Sequence, residues 1–176
     1  MRKVKLYIAI SLDGKIADEN GNVDWLDKIP NPENESYEYH DLIESIDTTI
    51  MGNSTYQQVL SFPTPFPYAE MENYVLTKDT SLEKDEHVTY VSSNIKEKIS
   101  DLKQKEGKDI WLIGGAEANT LIHNMGLIDE YMVFVMPIIL GNGIPLFSKN
   151  HIKQDLKLIN CKTYKSGVIL LHYIKS

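Results

Sequence analysis

Several stretches of this 176-residue chain place glycine, hydroxyl or cationic residues where an apolar run gives way to a helix or a turn, and that chemistry suits an anion. The most informative is Asp109-Ile110-Trp111-Leu112-Ile113-Gly114-Gly115-Ala116-Glu117. A strand pattern there runs into two glycines and then a helix. Glycines let backbone approach a phosphate closely, and the free N–H groups and positive dipole end of the helix attract it. A bare Gly-Gly is equally compatible with a tight turn that binds nothing. The Gly-x-Gly-x-x-Gly fingerprint and any Gly-Lys-Ser/Thr loop are absent, which disfavours an ordinary Rossmann dehydrogenase or a P-loop enzyme. A second junction, Thr49-Ile50-Met51-Gly52-Asn53-Ser54-Thr55-Tyr56, offers a glycine followed by hydroxyl and amide groups. Ser54 or Thr55 alone reads as a helix cap, yet two such junctions could clasp one pyrophosphate. At a third, Val75-Leu76-Thr77-Lys78, a hydroxyl and a cation suit a ribose 2′-phosphate and so favour NADPH over NADH, although a lone lysine there is ordinarily just solvated. The fourth, Ala9-Ile10-Ser11-Leu12-Asp13-Gly14-Lys15-Ile16-Ala17, turns at Asp-Gly, a common turn pair that also sets one carboxylate beside an apolar strand.

The elements that must position these residues follow from periodicity. Val4–Ile10, Thr48–Met51, Tyr74–Leu76, Val88–Val91 and Ile110–Ile113 read as strands alternating with helical segments, which predicts a mainly parallel sheet. Helices are expected over Glu35–Ile46, Ile95–Gln104 and Glu117–Met125, the second capped by Asn94 with Glu97 and the third stopped by Gly126. After Gly126 only strands follow: Glu130–Met136, Leu156–Tyr164 and Val168–Ile174, the last two joined by a turn at Lys165-Ser166-Gly167 as an antiparallel hairpin. The proline-rich run Phe62–Tyr68 is expected to be a stiff connection or the rim of a site.

Composition narrows the function. One domain spanning residues 1–176 is expected, and its 18 basic against 25 acidic residues, net −7, argue against nucleic acid. The chain enters a strand pattern at once, with no signal-peptide pattern and no apolar run near the roughly 18 residues of a membrane span, so a cytoplasmic protein is expected. Cys161 stands alone, and the five histidines lack helical metal spacing, so neither a disulfide framework nor a zinc site is expected.

Taken together, Ser11–Ala17, Ile50–Tyr56, Ile113–Ala116 and Pro137-Ile138-Ile139-Leu140-Gly141-Asn142-Gly143-Ile144-Pro145-Leu146-Phe147 resemble the dihydrofolate-reductase-like superfamily over nearly the whole chain. Within it, the branch is similar to the C-terminal reductase domain of the bifunctional riboflavin-biosynthesis deaminase-reductase. The resemblance implies an α/β fold, a three-layer α/β/α sandwich with a central mixed sheet and a C-terminal antiparallel hairpin. It also implies NADPH across the C-terminal ends of the strands, and hydride transfer to a pyrimidine- or pterin-like heterocycle. That reduction would be of the dihydrofolate type or of the riboflavin-pathway type, the latter a 5-amino-6-(5-phosphoribosylamino)uracil reductase activity. On the same resemblance, Ile113, Gly114, Gly115 and Ala116 with Gly52, Ser54 and Thr55 would hold the pyrophosphate. Thr77 and Lys78 would lie by the 2′-phosphate and Ser92 by the adenine, while Ala9, Asp13, Gly14 and Ile16 would border the nicotinamide. Asp13 is the catalytic candidate, orienting the substrate or a proton-delivering water.

Folate-reducing members are similar to one another in placing a carboxylate on the first long helix. The corresponding stretch here, Glu35-Ser36-Tyr37-Glu38-Tyr39-His40-Asp41, sets Ser36 at that position, Glu35 in a shifted register, and Glu38 and Asp41 on the outer face. No cationic pair stands out for a ribose phosphate. A stand-alone reductase is expected; the competing readings are a non-catalytic nucleotide-binding or assembly protein on the same fold and a generic anion-binding domain. The apolar runs Tyr131–Met136 and Val168–Leu171 exceed what a half-exposed hairpin needs, which predicts a homodimer.

Overall fold

The computed structural model describes the whole chain, Met1–Ser176. Ten strands form: β1 (Val4–Ser11), β2 (Lys15–Ala17), β3 (Ile46–Gly52), β4 (Glu72–Leu76), β5 (Thr89–Val91), β6 (Asp109–Gly114), β7 (Glu130–Met136), β8 (Ile144–Pro145), β9 (Leu156–Thr163) and β10 (Ile169–Lys175). The helices are α1 (Tyr39–Ser45), α2 (Asn53–Leu60), α3 (Ile95–Gln104) and α4 (Ala116–Asn124). Eight strands make the main sheet in the order β5-β4-β3-β6-β1-β7-β10-β9, and β2 pairs with β8 in a small separate ribbon. The first six of that order run parallel, while β10 is antiparallel to both β7 and β9. The expected α/β architecture, a central mixed sheet closed by a C-terminal antiparallel hairpin, is the one observed.

Side chains on the central strands alternate between two apolar layers, as a sheet buried on both faces requires. Leu6, Ile50, Ile110, Leu112 and Val133 pack with Ile99 and Leu102 of α3 and Ile122 of α4. On the other face, Met51 and Val75 meet Tyr56 and Val59 of α2, and Trp111 meets Leu42 of α1. Further along that second face, beneath β7 and β10, no helix covers the sheet. Trp25 and Tyr164, with the partly buried Leu26, Ile29 and Tyr37, close over Met132, Phe134, Met136 and Leu170 instead. The segment 18–38 that supplies most of this cover holds one short 3-10 helix, Leu26–Lys28.

At the N-terminal ends of the parallel strands, charges are paired. The Arg2 guanidinium is ion-paired with Asp47 and donates to the Lys108 carbonyl. Lys3 reaches Glu130 at 2.6 Å, Lys5 reaches Asp109 at 2.8 Å and Lys103 reaches Asp129 at 2.6 Å. His172 lies 3.2 Å from the second Glu130 oxygen.

Several expectations are corrected. The first helix begins at Tyr39, not Glu35, because Tyr37 and Glu38 both adopt left-handed backbone (φ 51° and 63°), which interrupts a right-handed helix. Glu38 is not on a solvated outer face: its carboxylate lies 3.6 Å from Lys162, and its side chain is 23% exposed. Asn94 does sit at the α3 N-cap, but at φ 48° and without a side-chain cap bond, so the Asn94–Glu97 pair does not form. Gly126 stops α4 as expected, in left-handed conformation with its N–H on the His123 carbonyl. The apolar residues of β7 are consumed inside the chain, between β1 and β10. Uncovered apolar side chains line up on β9, whose residues are all exposed, including Leu156, Leu158 and Ile159. The proline-rich run is a connection whose Phe66 is buried against Tyr56 and stacks on His87 at 4.7 Å, so it serves the core.

Candidate active site

The β3–α2 and β6–α4 junctions lie side by side because β3 and β6 are adjacent in the sheet. Gly52 is the N-cap of α2 and Gly115 the N-cap of α4, and neither helix start is capped by a side chain. Their first-turn N–H groups therefore have no intrahelical or side-chain partner, which is the arrangement that attracts an anion. The Thr55 hydroxyl accepts a hydrogen bond from the Gly115 N–H at 2.9 Å and so ties one junction to the other. A Cβ on Gly115 would stand 3.3 Å from that hydroxyl and 3.8 Å from Ile16 Cδ1; a Cβ on Gly52 would stand 3.6 Å from Ala118 Cβ. Gly114 has φ +124°, and the Gly114–Gly115 peptide is cis.

Gly52, Thr55, Gly114, Gly115, Ala116 and Ile16 thus converge on one small region, with Ser54 exposed on the first turn of α2 beside them. Ile113 is set apart, its side chain packed with the clusters of α1 and α2 on the second face. Lys78 reaches the same region from β4 and lies 3.1 Å from Glu117, in the first turn of α4. Both partners are largely exposed, so this pair contributes little and can exchange. Thr77 closes the ends of β4 and β5 through its N–H on the Val91 carbonyl, and its hydroxyl accepts the Asp79 N–H at 3.1 Å. Ser92 lies further out, in an open groove of about 570 Å³ that carries Glu83, Glu97 and Asp101 against the single cation Lys98. That charge balance suits a neutral group and not a phosphate.

Across β1, Ala9 packs beneath the irregular cover with Ile138 and Leu140. Gly14 takes φ +78° in the β1–β2 turn, its N–H on the Ser11 carbonyl and its own carbonyl accepting the Leu146 N–H. Asp13 is held by three donors: the Ser11 hydroxyl at 2.7 Å and the Leu140 N–H at 3.0 Å on one oxygen, and the Gly141 N–H at 2.9 Å on the other. The Ser11 hydroxyl and the two loop N–H groups lower its pKa to about 2, so the carboxylate is ionised at neutral pH. Such a group does not donate a proton there; its bonds fix the loop after β7 to the β1–β2 turn.

Five buried polar atoms have no partner: Trp25 Nε1, the Tyr37 and Tyr164 hydroxyls, Asn53 Oδ1 and Asn119 Oδ1. Asn53 opens α2, Asn119 lies in α4 beside Gly114, and the other three belong to the cover over Phe134. These aromatic residues were not singled out from the sequence, where the only sign was a tryptophan in a turn-rich stretch, Gly21-Asn22-Val23-Asp24-Trp25. No three His, Cys, Asp or Glu side chains gather as a metal site would need. No helix is long and apolar enough to cross a membrane.

The model of the RibD C-terminal domain matches residues 2–170. The chain belongs to that family. YwjB of Bacillus subtilis is 39% identical over 175 residues, covering 99% of both chains. A solved structure from Shewanella sp. PV-4, named for riboflavin biosynthesis, superposes over 100% of this chain and 99% of its own with a TM-score of 0.86 at 30% identity. The diaminohydroxyphosphoribosylaminopyrimidine deaminase/5-amino-6-(5-phosphoribosylamino)uracil reductase of Thermotoga maritima covers 99% of this chain and 57% of its own (TM-score 0.73, 18% identity). At that identity the likeness is one of fold. Membership in the RibD C-terminal domain family places the chain in the branch its motifs resembled.

Proposed function

We propose that this chain is an NADPH-dependent reductase that delivers hydride to the C=N or C=O carbon of a small pyrimidine- or pterin-like heterocycle. The observation that carries the reading is the pair of uncapped helix N-termini tied together by Thr55 and Gly115 at the C-terminal ends of adjacent strands. The residues present fit a dinucleotide: Gly115 stands where a Cβ would come within 3.3 Å of the Thr55 hydroxyl, and the uncapped starts of α2 and α4 open onto the same region. Gly52, Ser54, Thr55, Gly114, Gly115 and Ala116 would hold the pyrophosphate, Lys78 and Thr77 the 2′-phosphate, and Ser92 the adenine side. Ala9, Gly14 and Ile16 would border the nicotinamide, which supplies the hydride when bound.

The chain's own part is positioning. A phosphate arriving at Lys78 would take the place of Glu117 on that lysine. Asp13, ionised and held by Ser11, Leu140 and Gly141, acts as a positioning residue for the loop beside the acceptor, and proton delivery falls to water or to another donor. The exposed apolar edge strand β9, with Leu156, Leu158 and Ile159, is the surface on which a second copy would pair, giving a homodimer. On this reading the enzyme works in the cytoplasm on a small molecule, with no nucleic acid or membrane partner.

The test is NADPH oxidation by the purified protein against a panel of pyrimidine, pterin and simple imine or carbonyl compounds. The expected result is turnover with at least one heterocycle and with NADPH preferred to NADH. Binding of neither cofactor would contradict the reading.

A further inference from the structure

Buried polar atoms in folded proteins almost always find a partner, so unpaired ones gathered in one place call for an explanation. Three of the five here sit in a single aromatic cluster: Trp25 Nε1 and the hydroxyls of Tyr37 and Tyr164. Trp25 and Tyr164 are each 6% exposed. The rings form a continuous wall: Tyr37 meets Tyr164 edge-to-face with centroids 5.0 Å apart and Phe134 at 6.4 Å, and Phe134 lies 4.7 Å from Tyr7. Tyr7 also donates to the Tyr37 carbonyl at 2.8 Å, which holds the left-handed turn at Tyr37 and Glu38. An indole N–H can only donate and a phenol donates or accepts, so the cluster offers an unmatched indole donor and two unmatched hydroxyls, with the Glu38 carboxylate as the acceptor near Tyr164.

Carboxylates predominate around the cluster, although Lys162 Nζ lies 4.7 Å over the Tyr164 ring. Glu33, Glu35 and Glu38 lie along the covering segment, and the cations that reach it are already paired, Lys162 with Glu38 at 3.6 Å and Lys165 with Glu33. Burial, with the fields of Glu38 and Glu35 and the Glu38 carboxylate as a competing hydrogen-bond acceptor, pushes the Tyr164 hydroxyl well above its ordinary pKa, so it stays protonated. A phosphate dianion brought here would meet three carboxylates against two lysines, Lys162 and Lys165, each already paired with one of them. Packed against the cluster are Ile138, Leu140 and Ala9, the last of which borders the proposed nicotinamide position.

We infer that Trp25 Nε1 and the Tyr37 and Tyr164 hydroxyls recognise the hydride acceptor, and that they select an uncharged, planar heterocycle with carbonyl or ring-nitrogen acceptors and no phosphate. This rests on the reductase reading and names its substrate class. The ligand reaches these atoms when the irregular segment 18–38, which carries Trp25 and Tyr37, shifts outward. A site built of buried donors rejects analogues that leave those donors unpaired, which makes the trio a source of specificity.

The test compares wild type with Tyr164→Phe, Tyr37→Phe and Trp25→Phe, using uracil, lumazine and pterin as neutral probes and uridine 5′-monophosphate as the phosphorylated one. Binding is read by calorimetry and folding by the melting temperature without ligand. At least one neutral probe should bind wild type more tightly than the phosphorylated probe does, and each variant should weaken that binding about fivefold or more. Because the Tyr37 hydroxyl is unpaired, Tyr37→Phe should melt at the wild-type temperature or above it. No binding of a neutral probe, tighter binding of uridine 5′-monophosphate, unchanged affinity in the variants, or a lower melting temperature in Tyr37→Phe would overturn the inference. The NADPH-induced melting shift, measured on the same proteins, separates the two ideas: the variants should retain it, and its loss in wild type would sink the cofactor reading while the ring-binding comparison remains readable.

Discussion

At the N-terminal ends of the parallel strands, the three buried charged side chains, Arg2, Lys103 and Glu130, each meet an opposite charge, and Lys5 with Asp109 adds a further pair. At the other ends, the helices α2 and α4 start without side-chain caps, and all five unpaired buried polar atoms lie there or in the neighbouring aromatic cover. One end has its polar groups satisfied from within the chain; the other leaves them open. Unsatisfied groups cost stability, and their segregation to one end is what the proposed ligand site there calls for.

The contrast is broken most severely at the paired end. Arg2→Ala would remove the donor to the Lys108 carbonyl and the Thr48 hydroxyl and the cation of Asp47, and should destabilise the fold by about 2 kcal/mol in urea unfolding. The same variant should leave the stabilisation by NADPH, measured where the protein is still folded, near the wild-type value. Ser54→Asp gives the complementary result at the open end. A carboxylate in the first turn of α2 should stabilise the free protein by up to about 1 kcal/mol through the helix dipole. It should weaken NADPH at least tenfold by calorimetry, because it sets a negative charge against the pyrophosphate.

Titration sharpens the comparison further. Burial raises the Asp109 pKa, but the bonds from Lys5 and from the Lys3 N–H outweigh it and leave the group below the ordinary carboxylate value. Its contribution to stability is therefore full above the unfolded value of about 3.9 and is lost as pH falls through the lower folded value. Asp109→Asn should flatten the fall of the melting temperature in that acid window and leave the curve near neutrality parallel to wild type. The smallest effect is expected at Asp13, which is exposed. Asp13→Asn should speed hydrogen exchange of the Leu140 and Gly141 amides about tenfold, with little change at amides of the central strands.

Much of this contrast was legible in the residue order, because it depends on local pattern. The strand-glycine-helix junctions at Gly52 and Gly114-Gly115, the parallel core and the C-terminal hairpin all follow from periodicity and punctuation within a few residues. What was not legible depends on contacts across long separations. The helix start at Tyr39 is set by left-handed Tyr37 and Glu38, held from β1 by the Tyr7 hydroxyl, and neither residue type signals that backbone. Asp13 reads as a free turn carboxylate until the loop at Leu140 and Gly141 is seen to close on it. Thr55 reads as a cap until its hydroxyl is found on Gly115. The Trp25, Tyr37 and Tyr164 cover comes from an irregular segment and a distant turn, so no periodicity announced it.

The most direct test of the open end as a cofactor site is the thermal unfolding midpoint measured with NADPH, with NADH and with neither. A ligand at about a hundred times its dissociation constant adds about 2.7 kcal/mol to stability, a shift readily resolved in a chain of this size. The account predicts a clear rise with NADPH that exceeds the rise with NADH. No shift with either would contradict it and leave a RibD C-terminal domain fold whose open end binds something other than a nicotinamide cofactor.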